Sequence, residues 1–169
     1  LRISHYPQSR KFFELCDQFG FYVVCECNIE SHGMGYSPDK TLGNNPDWFI
    51  PHIDRTKNAY LRCRNYACVT FFSLGNEGGN GCNFYKTYEY LKNNELNGQN
   101  RPVQYERAEL QYNTDLYVPM YPTVSSFDSW SKGTDRPVIP CEYSHAMGNS
   151  NCCFRRMWDY IYKFPNLQG

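Results

Sequence analysis

Two glutamates stand where apolar runs give out. Glu77 closes S-L-G-N-E after the run Val69–Leu74, and Glu142 follows Val138–Cys141, with Tyr143, His145 and Asn149 close behind. Two carboxyl groups brought face to face can cleave a glycosidic bond. One protonates the departing oxygen; the other attacks the anomeric carbon or activates water. A retaining pair stands about 5 Å apart and an inverting pair about 6.5–9.5 Å, a gap that position along the chain does not give. Asn76 beside Glu77, and Tyr143 and His145 beside Glu142, add hydrogen-bonding groups, and such clusters of polar and titratable side chains mark sites. The bland alternative is a pair of solvated strand-end acids.

A second group is Glu30-Ser31-His32. A carboxylate and an imidazole two residues apart can share a divalent ion, and an oxygen-rich set with one histidine suits Mg²⁺ or Mn²⁺ better than structural zinc. A solvated pair is the competing reading. His5, in S-H-Y-P, and His145 are placed to meet a substrate hydroxyl. His52 is expected on a helix surface or at a cap.

The elements that must carry these groups alternate. Short apolar stretches at Phe21–Val24 (running on to Ile29), Val69–Leu74, Val103–Tyr105, Leu116–Met120 and Val138–Cys141 read as strands, with Ile3–Tyr6 the tail of one more. Between them, Ser9–Phe19 has helical apolar spacing and Gly20 as its stop. Trp48–Tyr66 has Pro51 near its first turn, and Phe84–Asn93 and Phe154–Phe164 complete the helices, the last ended by Pro165. Pro122–Thr134, rich in Ser, Gly and Pro, reads as a loop with one helical turn. Alternating strands and helices imply a parallel sheet, whose working residues gather at the carboxyl ends of the strands. Polar clusters follow all the apolar stretches, which favours a (β/α)8 TIM barrel over an open sheet. Too few strands are present for eight, so the fold class expected is α/β, an incomplete barrel of about six βα units lacking its first and last strands, in one partial domain over residues 1–169.

The 169 residues suffice for a real core, and 17% aromatic content excludes a disordered chain. Seventeen basic residues balance seventeen acidic ones. There is no basic stripe for nucleic acid and no polybasic tail for a membrane surface. No apolar run approaches the roughly 20 residues of a span, and the N-terminus lacks a signal-peptide layout, which favours the cytoplasm. Nine cysteines, an odd number without C-x-x-C spacing, read as buried free thiols. Cys25 and Cys27 are expected on one face of a strand, while Cys152 and Cys153 are adjacent.

In this order, S-H-Y-P (Ser4–Pro7), N-I-E-S-H-G-M (Asn28–Met34), S-L-G-N-E (Ser73–Glu77), R-P-V-Q-Y-E (Arg101–Glu106), P-M-Y (Pro119–Tyr121) and C-E-Y-S-H-A-M-G-N-S (Cys141–Ser150) resemble the catalytic barrel of the family 2 glycoside hydrolases. Within that family the last block resembles the large bacterial β-galactosidases more than β-glucuronidases or β-mannosidases. The resemblance implies Glu77 as acid/base and Glu142 as nucleophile of a retaining mechanism. It implies Mg²⁺ (or Mn²⁺) on Glu30, His32 and Glu77, Tyr121 beside the nucleophile, and His5, Asn76 and His145 on sugar hydroxyls. The implied substrate is a terminal β-galactoside such as lactose, and the implied assembly of the full-length enzyme a homo-oligomer. A catalytically incomplete piece with weak sugar binding, and a change of sugar to glucuronide or mannoside, stay open.

The sequence departs from the family pattern at particular places. The family reads D-E-A-N-I-E where Cys25–Glu30 stands, and R-D-R-N-H-P where Arg62–Ala67 stands, so a thiol replaces an acid at Cys25 and at Cys63. Phe72 replaces a Trp, and Cys152-Cys153 replace small residues. A buried Arg or amide that leaned on either acid would lose its partner.

Overall fold

The computed structural model describes residues 1–95 and 98–169. Its helices are α1 (Arg10–Phe19), α2 (Phe49–Cys63), α3 (Cys82–Glu95), α4 (Val124–Trp130) and α5 (Phe154–Lys163); its strands are β1 (Val23–Glu26), β2 (Val69–Ser73) and β3 (Val103–Gln104). The strands form a parallel sheet in the order β1-β2-β3. Val23 faces Val69 and Glu26 faces Ser73, so both strands end at the same level.

Local chemistry explains most boundaries. Ser9 caps α1 by accepting from the Phe12 amide, and Gly20 stops it at φ 73°. Pro51 falls in the first turn of α2, where its missing N–H costs nothing. His52, Thr56, Ala59, Tyr60 and Cys63 form the buried stripe of α2 at helical spacing. That stripe corrects the reading of His52 as a surface group. It is buried, its Nδ1 lies 2.7 Å from the Trp48 carbonyl, its ring packs edge-on to Phe84, and burial lowers its pKa.

Two further expectations are corrected. Phe21 and Tyr22 are exposed and precede the strand, which starts at Val23. Pro122–Thr134 is not a loop with a single turn: α4 occupies seven of its residues, started by a capping box in which Thr123 and Ser126 satisfy each other's backbone amides.

The strands expected at Ile3–Tyr6, Leu116–Met120 and Val138–Cys141 survive only as isolated parallel bridges, Arg2 with Val24, Tyr117 with Val138 and Met120 with Glu142. Proline is the reason for the last two. Tyr117 N donates to Pro137 O, and Ile139 N and Cys141 N donate back to Tyr117 O and Pro119 O, but Pro119 has no N–H to continue the exchange. Pairing resumes one residue out of step, with Tyr121 N donating to Glu142 O at 2.7 Å. Leu167 pairs in parallel with Val138 on its other side, a seventh segment that the sequence reading missed, and Pro140 prevents that ladder from growing.

Two apolar clusters follow this division. The larger packs Phe13, Val23, Phe72, Phe84, Leu91, Val103 and Tyr105 with five buried cysteines. The smaller packs Phe127, Val138, Met157, Ile161 and Leu167.

Candidate active site

Glu77 reaches its position through a turn that only glycine permits. Gly75 has φ 153°, and a Cβ there would lie 2.5 Å from the Ile29 carbonyl oxygen. The turn lays Asn76 against the segment that follows β1, with Asn76 N donating to Ile29 O at 2.8 Å and Asn76 pairing with Glu30. Glu77 has φ 39°, an uncommon conformation for a residue with a side chain. Its amide is held by Glu106 Oε1 at 2.6 Å. Tyr105 fixes the following glycines, accepting from Gly78 N at 3.1 Å and donating to Gly79 O at 2.9 Å. On the carboxylate, Tyr36 donates to Oε1 at 2.7 Å and His32 Nδ1 stands 3.1 Å from Oε2.

Glu142 is reached from the other side. The Tyr121 hydroxyl donates to its Oε2 and Arg2 Nη1 to its Oε1 at 2.6 Å. Burial alone would raise the Glu142 pKa, but these hydrogen bonds and the charge of Arg2 outweigh it and hold the group below the usual carboxylate range. The same hydrogen bond, with burial, pushes the Tyr121 phenol up, so it stays a donor. His145 packs edge-on against Tyr121, centroids 4.8 Å apart.

Arg2 joins the two halves. Besides Glu142, it donates from Nη2 to Asn76 Oδ1 at 2.7 Å and from Nε to Glu26 Oε2 at 2.7 Å. Glu26 is fully buried; it also accepts from Ser73 at 2.7 Å and lies 2.8 Å from His5 Nδ1. Burial would lower Arg2, yet Glu26 and Glu142 keep it protonated well above its ordinary value. The segments carrying His5, Asn76 and Glu142 therefore meet around one guanidinium, at the carboxyl ends of the parallel segments.

Glu30, His32 and Glu77 each present a ligand atom within 4.8 Å of the others. Two carboxylates and one imidazole are a donor set that a hard divalent cation accepts. Of the residues singled out from sequence, His5, Asn76, Glu142, Tyr121 and His145 are linked through Arg2 and Tyr121, while Glu30, His32 and Glu77 form a second group that meets the first at the Asn76–Glu77 peptide link.

Sequence reasoning missed Arg2, Glu26, Tyr36 and Glu106. Arg2 could have been found from charge alone, because clustered acids at strand ends need a fixed cation. Glu106 was quoted in R-P-V-Q-Y-E without a role. Burial pushes its pKa up to about 8, and its Oε2 is buried without a partner. A hollow of about 540 Å³ lies by Tyr143, Cys152 and Cys153, and none of the acids above lines it.

The family model described as "Glycosyl hydrolases family 2, TIM barrel domain" matches residues 1–169. The β-galactosidase of Oenococcus oeni is 42% identical and that of Yersinia enterocolitica 39%, each aligned with the whole of this chain. The chain spans 17% of the length of either relative. A crystal structure of a Ruminococcus gnavus β-glucuronidase superposes with TM-score 0.72 at 17% identity, covering 99% of this chain and 36% of that one. A Faecalibacterium prausnitzii β-glucuronidase gives 0.65 at 21%, covering 98% and 34%. At these identities the likeness bears on the fold, which is the family's TIM barrel.

Proposed function

The chain belongs to glycoside hydrolase family 2, and on that premise we propose that it carries the acid pair of a retaining β-galactosidase acting on terminal β-galactosides such as lactose. The observation that carries this reading is Arg2, which binds Glu142 and the Asn76 next to Glu77 with one guanidinium. The 39–42% identity to β-galactosidases favours galactose over glucuronic acid. The seven parallel segments among the described residues support reading the chain as part of an eight-stranded barrel.

In the first step the Glu77 carboxylic acid gives its proton to the glycosidic oxygen as the bond to C1 breaks, and Glu142 attacks C1 to form a glycosyl ester. In the second, Glu77, now a carboxylate, takes a proton from water, whose oxygen attacks C1 and expels Glu142. Arg2 and Tyr121 keep Glu142 ionised for the attack and stabilise it as a leaving group. Asn76 meets the 2-hydroxyl, whose contacts strengthen in the transition state, and His5 and His145 meet other hydroxyls. Glu30, His32 and Glu77 would hold Mg²⁺, which supplies positive charge beside the acid when bound.

The test is hydrolysis of nitrophenyl β-galactoside and β-glucuronide by the chain and by Glu142→Gln and Glu77→Gln, with Mg²⁺ and after chelation. Galactoside turnover that falls at least about 10³-fold in Glu142→Gln, and falls on chelation, is expected. Near-normal turnover by either variant, or a preference for the glucuronide, contradicts the reading.

A further inference from the structure

We propose that Arg107 recognises the leaving group, and that this group is a hydroxyl-bearing sugar; the inference rests on Glu77 being the acid. A cavity of about 310 Å³ is lined by Glu77, Glu106, Arg107, Glu109, Met120 and Tyr121, while Glu142 is not part of its wall. The acid hands its proton to the departing oxygen, so the departing group lies on the Glu77 side.

The Arg107 guanidinium carbon stands 3.8 Å over the centre of the Tyr36 ring, and the Tyr36 hydroxyl donates to Glu77 Oε1 at 2.7 Å. Cation, ring and acid thus form one connected unit. The ring contact holds the guanidinium without consuming its N–H groups, and Arg107 lines the cavity. The fork remains available to donate to a ligand. Three carboxyl groups, Glu77, Glu106 and Glu109, share the same wall. Sugar hydroxyls can donate to these carboxyl oxygens and accept from Arg107. An aryl group offers the fork no acceptor, and sites built to hydrogen-bond a ligand discriminate against analogues that leave those groups unpaired.

The experiment compares kcat/KM for lactose and for phenyl β-galactoside in the wild type, Arg107→Gln and Arg107→Lys. Arg107→Gln is expected to lower the lactose-to-aryl ratio by about 10-fold, mostly through KM for lactose, as the loss of a donor set predicts. Arg107→Lys, which keeps the charge but not the fork, is expected to recover part of that ratio. An unchanged ratio, with both substrates affected alike, reduces Arg107 to a support for Tyr36 and overturns the proposal. If the wild type hydrolyses neither substrate, the reading of Glu77 and Glu142 fails separately, and lactose binding is then read by ligand-observed NMR. Binding weakened about five-fold or more in Arg107→Gln supports the site; equal binding, or none by the wild type, overturns it.

Discussion

The β1–β3 region and the stretch from Leu116 to Leu167 present their acids by different means. The first has three hydrogen-bonded strands, and its core includes fully buried Phe13, Val23, Phe72, Phe84 and Tyr105. Glu77 is fixed there by a glycine turn, by its amide on Glu106 and by Tyr36. The second has isolated bridges interrupted by proline and a cluster of five buried residues. Glu142 is held less by its own ladder than by side chains reaching over, Tyr121 and Arg2. A regular core can place one acid; the other is placed by charge and hydrogen bonds, and Arg2 is the tie.

Cutting that tie has the largest expected effect. Arg2→Leu leaves the fully buried Glu26 without its cation, which costs about 3–5 kcal/mol when one partner of a buried pair is removed. It also frees Glu142. Denaturant unfolding should show the loss; a midpoint within error of the wild type would mean that Arg2 is dispensable.

Next comes Phe127→Ala, in the smaller cluster, which should cost about 3–5 kcal/mol. Because the two cores are separate clusters, hydrogen exchange is expected to speed up around Val138–Glu142 before it does so in Val69–Ser73. Equal acceleration in both would merge the regions into one cooperative unit.

A pH series sharpens the role of charge. The folded pKa of Glu142 lies below its ordinary value, so the stability it adds is present above the unfolded value and lost as pH falls through the folded one. The difference in unfolding midpoint between wild type and Glu142→Gln should therefore shrink as pH falls from about 6 to about 3. A constant difference would show that Arg2 and Tyr121 do not act through the carboxylate charge.

The smallest effect leaves stability untouched. Cys16, Cys25, Cys27, Cys63 and Cys68 are buried and all lie in the first region, whereas Cys152 is exposed and Cys153 half-buried in the second. Native thiol titration should label Cys152 and Cys153 first and reach those five only on unfolding.

Much of the first region is legible in the sequence because its signals are local. Ser9 and Gly20 bound α1, the apolar run Val69–Leu74 makes β2, and S-L-G-N-E places Glu77 at a strand end. The second region is less legible because its prolines suppress regular strands without suppressing parallel alignment, and the capping box of α4 hides in a loop-like composition. Two of the departures from the family pattern, the thiols at Cys25 and Cys63, are buried neighbours in the larger core. That contact and burial hold the Cys25 thiol well above its ordinary value. The nearby Arg101 is not stranded: Glu95 pairs with it at 2.7 Å and Phe72 lies under its guanidinium at 4.7 Å. No sequence spacing reveals such contacts between β1 and the end of α2, nor the reach of Arg2 to three segments.

The sharpest check on the pairing of Glu77 and Glu142 over one sugar is to trap the ester. Treated with 2-deoxy-2-fluoro-β-galactosyl fluoride, the chain should displace fluoride from C1 of the sugar and form a bond from C1 to a Glu142 carboxylate oxygen, the fluorine at C2 slowing hydrolysis so that the ester accumulates. Peptide mass spectrometry is expected to place the added 2-deoxy-2-fluorogalactosyl mass on Glu142 and to find none in Glu142→Gln. A label on any other residue, or a Glu142→Gln variant that is still labelled, would contradict it.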